Sequence, residues 1–533
     1  MPVPFLLRNI CLEPGTRESV LPDILCRRLQ LKPAELLSWV VVRKGVDARR
    51  KRQVRFVYTV EFSVADEALF AGRSSDPDLV AVKPPSPETP FPACRSERRI
   101  VIVGMGPAGL FTALRLAEYG MTATLLERGR PIDERLRDVQ SYWSRGMLDP
   151  QSNVQFGEGG AGTFSDGKLT TRVKDANIAY VLEKLVQFGA PPEIRYLAKP
   201  HIGTDRLRDT VKRLRGYLQD RGCTVRFASR LTDIAVHGDR VRGVVVNASE
   251  EIPCDLLVLA PGHSARDTYR MLHDRGVQMT AKPFAIGLRV EHPQELINRI
   301  QYGVPNDPHL PPADYALAYN DARSGRSAYS FCMCPGGVVV ASASEPDGVV
   351  TNGMSNHQRN APYANSALVT TVTPADFGGC GPLAGIDFQR RWERAAYLAG
   401  GESGRAPAQN LLAFLGQGRG AVVSSYRPGV VEAELDSVLP PYVTATLRDG
   451  IRYFDRKMKG FVTAEATLTG VETRTSAPVR IVRGDDFQSV TLRGLYPAGE
   501  GAGYAGGIMS AALDGIRVAD RIARELQHQG ESA

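Results

Sequence analysis

The segment Arg98–Gly109, RRIVIVGMGPAG, decides the fold of this chain, and Leu495–Gly507, LYPAGEGAGYAGG, repeats its form near the other end. Each segment begins with a short apolar strand, passes into a turn rich in glycine and leads into a helical pattern. This arrangement cradles a pyrophosphate, because glycine lets the backbone approach the phosphates and a helix N-terminus offers free N–H groups. The two segments therefore predict the two ends of one dinucleotide site.

The first turn has the spacing of a dinucleotide-binding fingerprint. Gly104 permits the tight turn, Gly106 lets the backbone reach the pyrophosphate, and Gly109 permits close packing of helix on strand. Glu127 ends the next predicted strand, where a carboxylate accepts hydrogen bonds from ribose hydroxyls and disfavours the 2′-phosphate of NADP. The residues predicted to contact the cofactor in this half are Gly104, Gly106, Pro107, Ala108, Gly109, Glu127, Arg128, Gly160 and Val225.

The second half of the site is predicted from two later segments. The strand in Asp255–Gly262, DLLVLAPG, returns to the cofactor, and the pair Gly499-Glu500 places an acid toward the ribityl chain of FAD. The glycines and the helix start that follow would stabilise negative charge on a reduced flavin. The residues predicted to contact the cofactor here are Gly262, Gly499, Glu500, Gly506, Gly507 and Ile508. Together the two halves predict FAD as the cofactor.

Three residues are candidates for catalysis, in the order His263, Lys168 and Arg474. His263 follows the strand that returns to the cofactor, and the alternative for it is a structural or phosphate-side histidine. Lys168 lies in the glycine-rich stretch Phe156–Thr170, where it would meet an anionic substrate or flavin N5, or remain a solvated lysine. Arg474 lies in a polar run, ETRTS, that could line the same pocket or form a surface loop.

The predicted fold class is α/β, with helices and strands alternating in the manner of a Rossmann unit. The predicted segments are a small N-terminal α+β domain over 1–70, a proline-rich linker over 71–97, the first part of a Rossmann-type FAD-binding domain over 98–265, an inserted mixed β/α substrate domain over 266–480, and the C-terminal part of the FAD-binding domain over 481–533.

The composition is that of a globular protein, with 43% hydrophobic and 23% charged residues and a formal net charge of +8. We predict no membrane span, because no long uncharged apolar window occurs. The N-terminal sequence lacks a basic stretch followed by a long apolar core, so we expect a cytoplasmic protein. Val41–Phe56 is strongly basic; it predicts a solvated hairpin tip, with contact to RNA, an anionic substrate or an acidic partner as alternatives.

The eight cysteines are spaced irregularly, and only Cys332 and Cys334 are close in sequence. Residues two apart in a strand share a face, so we expect these two to be buried or pocket-lining thiols, with a redox or nucleophilic role as the alternative. No CxxC pair lies near the predicted flavin, which disfavours a disulfide reductase. No cluster of His, Cys and carboxylates predicts a metal site.

With these motifs in view, the chain resembles the bacterial family of uncharacterised FAD-dependent dehydrogenases, flavoproteins of the glutathione-reductase type with a small N-terminal α/β domain. The motifs that carry the resemblance are VDARRKR, GMGPAGL, GEGGAGTFSDGKL, GHSARDT, SFCMCPGG, NGMS, VETRTSAPVRI and GEGAGYAGGI. The resemblance implies FAD binding at Gly104, Gly106, Gly109, Glu127, Gly499, Glu500 and Gly507, and it implies no substrate.

The function expected from the sequence is an FAD-dependent oxidoreductase that moves a hydride between flavin N5 and a small-molecule substrate. No second strand–glycine turn–helix fingerprint occurs, so NAD(P)H as a reductant would have to visit the substrate pocket transiently. Two alternatives stay open. One is an RNA-modifying flavoprotein that uses its basic surface, and the other is a non-catalytic, FAD-stabilised binding protein whose N-terminal unit is an interaction module.

Overall fold

The computed structural model describes residues 4–51, 53–68, 70, 75–82, 91–94 and 96–531. Its N-terminal unit is an antiparallel sheet of order β2-β3-β1-β4 with a helix, α1, packed on one face. Elements are numbered in chain order throughout. Their bounds are β1 Phe5–Leu12, α1 Leu21–Leu29, β2 Leu36–Asp47, β3 Arg55–Val64 and β4 Leu79–Ala81. Strand β4 lies inside the predicted linker, so the N-terminal unit extends beyond residue 70. Arg28 of α1 binds Asp76 and Asp78, just before this strand. The rest of the linker lies largely outside the described residues.

The hairpin of β2 and β3, which carries the basic stretch, packs against the rest of the protein. The amide of Lys44 donates to the carbonyl of Tyr196, and the amide of Ala198 donates to the carbonyl of Lys44. The Lys44 ammonium also pairs with Glu18 at 2.6 Å. Val54 is buried in the large core of the inserted domain. The base of this hairpin is therefore docked and its charge is partly neutralised.

A parallel five-stranded sheet of order β22-β11-β5-β6-β7 forms the centre of the molecule. Its strands are β5 Ile100–Val103, β6 Thr124–Leu126, β7 Thr224–Arg226, β11 Leu256–Leu259 and β22 Leu495–Pro497. The order of the strands along the chain reverses between β5 and β11, and a ligand crevice opens at the carboxyl ends of the strands at such a point. The chain thus forms a crevice where both glycine turns leave the sheet.

Helices surround this sheet, although α3 packs mainly into the core of the inserted domain, and two of them bring the distant ends of the chain together. They are α2 Pro107–Glu118, α3 Ile132–Arg145, α4 Asn177–Gln187, α5 Thr204–Asp220 and α11 Ile508–Glu531. Helix α11 packs on α2 so closely that a Cβ on Gly515 would lie 2.2 Å from the carbonyl oxygen of Ala108. A three-stranded antiparallel meander completes this domain, with β8 Leu231–His237, β9 Arg240–Val246 and β10 Glu250–Pro253.

The inserted domain is built on a mixed sheet of order β14-β15-β17-β13-β20-β18-β19, with β16 paired to β15. Its strands are β13 Phe284–Pro293, β14 Ala318–Asn320, β15 Ser327–Ala341, β16 Thr351–Met354, β17 Tyr363–Val372, β18 Ala406–Asn410, β19 Val430–Glu432 and β20 Thr467–Glu472. Helices α7 Gln294–Tyr302, α8 Ala384–Ala399, α9 Leu411–Leu415 and α10 Pro441–Lys457 belong to it. The two-stranded pair of β12 Met279–Ala281 and β21 Val479–Ile481 joins its base to the central domain, after α6 Arg266–Asp274.

The two faces of this sheet differ in what they bury. Alternate residues of β13, such as Ile286 and Leu288, lie in a large apolar core beneath α8 and α10. The residues between them, such as Arg289, face the opposite way, toward the central domain. The predicted α/β class is confirmed. Across the described helices, none combines the length and apolarity needed to cross a membrane.

Candidate functional site

A cavity of about 480 Å³ lies between the carboxyl ends of the parallel strands and the inserted sheet. The central domain contributes Val103 and Ala260, at the ends of β5 and β11, to its lining. The inserted sheet contributes Phe331, Asn352 and Glu472 to the opposite wall. The cavity therefore joins the predicted cofactor site to the domain predicted to hold the substrate.

The first glycine turn is tight for a steric reason. Gly104 has φ +98°, and a Cβ there would lie 2.1 Å from the carbonyl oxygen of Ala260. A Cβ on Gly109 would lie 1.9 Å from the carbonyl oxygen of Gly104, so only glycine lets α2 approach β5 this closely. Gly106 is the N-cap of α2, and the N-terminus of that helix opens into the cavity. This is the geometry that a pyrophosphate needs.

Glu127 lines the cavity at the end of β6, but its carboxylate is engaged by the protein. It accepts hydrogen bonds of 2.9 Å from the amides of Met105, Gly129 and Gly157. The side chain thus ties the glycine turn to the glycine-rich stretch that follows α3. A carboxylate offers about four acceptor positions, so one is left for a ribose hydroxyl, and that contact stays a prediction.

The second glycine turn leaves open space in front of its backbone. No atom lies within 4 Å of where a Cβ on Gly262, Gly506 or Gly507 would stand, and Gly507 has φ +106°. A side chain at these positions would enter the cavity. Glu500 lines the same wall, and burial raises the pKa of its carboxyl to about 7, although the amide of Gly507 and the charge of Lys282 act against that rise.

Most of the predicted site residues meet in this one cavity. Those that line it are Gly104, Gly106, Pro107, Ala108, Glu127, Arg128, Gly160, Gly262, Glu500, Gly506, Gly507 and Ile508, with His263, Lys168 and Arg474. Three predicted contacts, all within the described part of the chain, lie outside the lining. Gly109 faces the strand, Val225 packs into the core from the outer strand β7, and Gly499 has φ +74° and donates its amide to Asp514.

His263 is held by a chain of polar groups behind it. Arg474 donates to the hydroxyl of Ser264 at 3.1 Å, and that hydroxyl lies 2.9 Å from Nδ1 of His263. The guanidinium can only donate, so the Ser264 hydrogen is free to go to Nδ1, and we expect the histidine proton on Nε2. Burial, together with the charges of Arg474 and Arg266, lowers the pKa of His263 to about 3. A neutral imidazole ring therefore lines the cavity.

Arg474 is committed to this support. Its guanidinium binds both oxygens of Glu393 at 3.0 Å and also donates to Ser344 at 2.5 Å. Arg266, at the start of α6, binds the same carboxylate at 2.7 and 2.9 Å. The two arginines hold the pKa of Glu393 well below its usual range, against the effect of burial. This buried network fixes α8 of the insert to the central domain beside His263.

Lys168 lies at the sheet end of the cavity. Its ammonium is 3.3 Å from Asp166 and 3.8 Å from the thiol of Cys334, and its side chain is 30% exposed. Arg359 also binds Asp166, through two nitrogens at 3.0 and 2.5 Å, and the hydroxyl of Ser355 donates to it as well. Asp166 was not singled out from the sequence, although it stands two residues before Lys168 in the SDGK motif.

Cys332 and Cys334 both line the cavity because β15 contains a bulge. Phe331 pairs with Ala367 and Cys334 with Asn365, so one extra residue lies in β15 between these pairs. Cys332 takes the extra position with φ +44°. Cys332 is exposed and Cys334 is buried, and burial raises the pKa of the Cys334 thiol. Both thiols line the cavity, as one of the two sequence interpretations expected.

Arg289, which sequence reasoning missed, supports this wall. Arg289 is fully buried and binds Glu472 at 2.6 and 3.1 Å, the carbonyl oxygen of Cys332 at 3.1 Å and Asn352 at 3.2 Å. The ion pair thus holds the bulge in place. Arg289 lies in a run that the sequence showed only as an apolar strand, FAIGLRVEH, and nothing in that run identifies its partner.

The whole chain has a close counterpart among known proteins. A protein of Clostridium beijerinckii (strain ATCC 51743 / NCIMB 8052), described as an uncharacterized protein, is 46% identical over 522 residues, which are 97% of this chain and 98% of that protein. This chain belongs to that protein's family. Residues 283–475 match the model of the FAD-dependent protein C-terminal domain, and residues 7–63 match a domain of unknown function, DUF8436.

Both the match to the FAD-dependent domain and the form of the cavity identify FAD as the cofactor. The cavity meets the requirements of FAD because a helix N-terminus, an acid at the end of β6 and two exposed glycine backbones line one continuous space. The expectation of an FAD site is confirmed, and so is the FAD-dependent part of the resemblance.

Comparison with solved structures gives only weak whole-chain likeness. CtdE in complex with FAD is 10% identical, with a TM-score of 0.33 over 81% of this chain and 88% of that one. The flavin-dependent brominase Bmp2 is 13% identical, with a TM-score of 0.37 over 81% of this chain and 79% of that one. Glycine oxidase from Bacillus cereus ATCC 14579 is 12% identical, with a TM-score of 0.30 over 80% of this chain and 96% of that one.

Proposed function

We propose that the protein is an FAD-dependent oxidoreductase that transfers a hydride between flavin N5 and a small molecule held under the inserted sheet. The observation that carries this proposal is the single cavity, whose one wall is the pair of glycine turns and whose other wall is the sheet with Phe331, Asn352 and Glu472. A cofactor bound on the first wall would place its reactive end toward the second, since the glycine turns hold only its phosphate and ribityl portions.

The chain's own groups would bind, orient and exclude water. The bound flavin supplies the hydride chemistry. The N-terminus of α2 holds negative charge, and the exposed backbone of Gly506 and Gly507 lies before the N-terminus of α11. His263 would donate a hydrogen bond from Nε2, and its low pKa means that it does not act as a general base near neutral pH. Lys168 is the candidate whose charged ammonium lines the cavity and stays partly exposed.

A nicotinamide donor would have to enter the same cavity. Among the described strands, the five-stranded parallel sheet has one crevice of this type, and both glycine turns already line it. NADH or NADPH would then bind on the sheet side, leave after transfer and make room for the substrate. This order of events is part of the proposal.

The test is anaerobic reduction of the purified protein. We expect the protein to carry tightly bound FAD, with the visible absorbance of an oxidised flavin, and we expect NADH or NADPH to bleach that absorbance. A metabolite screen for reoxidation then identifies the acceptor. A protein that is purified without flavin and takes up no added FAD would contradict the cofactor assignment. Bound flavin that no nicotinamide or candidate donor reduces would favour a binding protein over an enzyme.

The structure gives little support to the alternative that the basic hairpin binds RNA. Lys44, in the basic hairpin, pairs with Glu18 and contacts the central domain, and Arg49 pairs with Asp47. These carboxylates reduce the positive charge that a phosphate backbone would meet. We therefore propose a small-molecule substrate.

A further inference from the structure

The charges around Lys168 do not balance. Asp166 is only 2% exposed and is bound by Arg359 through two nitrogens and by the hydroxyl of Ser355. The Lys168 ammonium approaches the same carboxylate at 3.3 Å. Two cations therefore share one carboxylate, and this corner of the cavity has an excess of one positive charge.

The other arginines of the lining are bound by other carboxylates. Arg474 binds both oxygens of Glu393, which it shares with Arg266, and Arg266 also binds Glu345. Arg128 is bound by both oxygens of Asp267. Arg230 approaches Asp267 only at 3.9 Å, but it follows β7, at the end of the cavity where Glu127 stands. The excess charge at the sheet end thus belongs to Lys168.

The surroundings of Lys168 favour an anionic ligand. Its other near neighbour is the thiol of Cys334, which burial keeps protonated, and its side chain remains partly exposed to the cavity. An ammonium has three protons to donate, and Asp166 and Cys334 account for two. A partly desolvated cation with a spare donor gains most from a ligand that carries one negative charge.

We propose that Lys168 is the anchor for a carboxylate group of the substrate, so that the protein acts on a small organic acid. This inference rests on the proposed function and adds the substrate class to it. The acid group would lie against Lys168, while the reacting carbon would lie toward the flavin and the apolar remainder against Phe331 and Tyr315, which line the same end. Arg359 and Asp166 are positioning residues that hold the lysine in place.

The test measures binding by the flavin-loaded protein with calorimetry and flavin absorbance. The probes are formate, acetate and benzoate, and each is compared with its neutral amide, formamide, acetamide or benzamide. We expect at least one carboxylate to bind well above its amide. The variant Lys168→Met should weaken that binding about tenfold or more, since a charge-assisted hydrogen bond contributes that much. Lys168→Arg should restore most of it.

Lys184→Met is the matched control, because Lys184 pairs with Glu118 at 2.8 Å and neither residue lines the cavity. It removes the same net charge and should leave carboxylate binding unchanged. Bound flavin is measured in every variant, so that loss of the cofactor is distinguished from loss of the anion site. Equal binding of acid and amide, no binding of any probe acid, or unchanged binding in Lys168→Met overturns the proposal. A lowered flavin reduction potential in Lys168→Met with unchanged carboxylate binding also overturns it, because the cation would then serve the reduced cofactor.

Discussion

Replacing Ser264 with alanine should weaken the preference of His263 for carrying its proton on Nε2 while leaving the ring neutral. In the wild-type protein the Ser264 hydroxyl lies 2.9 Å from Nδ1, and Arg474 donates to that hydroxyl from behind. A buried neutral hydrogen bond contributes about 1 kcal/mol, which is a factor of about five in a tautomer ratio. Ser264→Ala should therefore lower the preference for the Nε2–H form by about that factor.

The ring should stay neutral because Ser264 is not what depresses its pKa. Burial and the charges of Arg474 and Arg266 lower the pKa of His263 from 6.5 to about 3. That difference opposes protonation by roughly 5 kcal/mol. The sign follows from linkage: the folded protein binds this proton more weakly than the unfolded chain, so the effect costs no stability above pH 6.5 and costs progressively more as the pH falls toward 3.

The assay is NMR of protein labelled with ¹⁵N-histidine, with the His263 signals assigned by their loss in His263→Gln. The wild-type spectrum should show protonation at Nε2 only, unchanged from pH 8 down to about pH 4. Ser344→Ala is the control, since Ser344 accepts from Arg474 but does not touch the histidine. A wild-type proton on Nδ1, a titration near pH 6.5, or an equal effect of Ser344→Ala would refute the reasoning.

Three further outcomes are expected. Gly104→Ala should lose bound flavin and about 3 kcal/mol of stability in urea unfolding, because its Cβ would meet a carbonyl oxygen at 2.1 Å. Gly120 has φ +81° and no atom within 4 Å of where a Cβ would stand, so Gly120→Ala should keep the flavin at a cost of about 1 kcal/mol. Glu500→Gln should remove a pH dependence of the apoprotein's melting temperature. Because the folded-state pKa of Glu500 is raised to about 7, the stability that this carboxyl contributes is complete below pH 4.5 and is lost as the pH rises through 7. The variant should therefore gain up to about 3 kcal/mol of stability relative to wild type at pH 8, and an equal dependence of melting temperature on pH in the two proteins would contradict this. Glu472→Gln should cost about 3–5 kcal/mol of stability in the same urea assay, because it leaves the fully buried Arg289 without its carboxylate. Glu250→Gln, in the exposed pair with Arg226, should change stability little. Similar losses in the two variants would show that burial is not the cause.

The glycine turns could be predicted from the sequence because their cause is local. A tight turn between a strand and a helix needs glycine at Gly104 and close packing needs it at Gly109, whatever the rest of the chain does. The return strand and the second turn could be placed for the same reason. The α/β class and FAD followed from these local requirements.

The polar groups that support the cavity could not be predicted in this way. Glu393 lies on α8, and it meets Arg266 and Arg474 although they lie 127 and 81 residues away in the sequence. Asp166 and Arg359 likewise come from separate segments. A single sequence shows that such residues are charged but not which of them meet, since long-range pairing depends on how the domains pack.

The cysteine pair shows an intermediate case. Strand alternation placed Cys332 and Cys334 on one face, and both do line the cavity. The bulge in β15 interrupts the alternation, so that Phe331 and Met333 line the cavity as well, although Met333 also packs into the core. The sequence does not predict this bulge by a glycine, because Cys332 itself takes the left-handed backbone conformation.

The pairing of β22 with β11 has a consequence for the order in which the protein matures. Strand β11 precedes the insert and β22 follows it, so a ribosome completes the whole inserted domain before the last strand of the central sheet exists. Until then one edge of β11 stays unpaired, and exposed edges of apolar strands promote aggregation. During this interval the FAD site also lacks its second glycine turn and α11. Cofactor loading is therefore a late step that follows synthesis of the C-terminal helix, and flavin supply can limit how much of the newly made chain reaches its stable form.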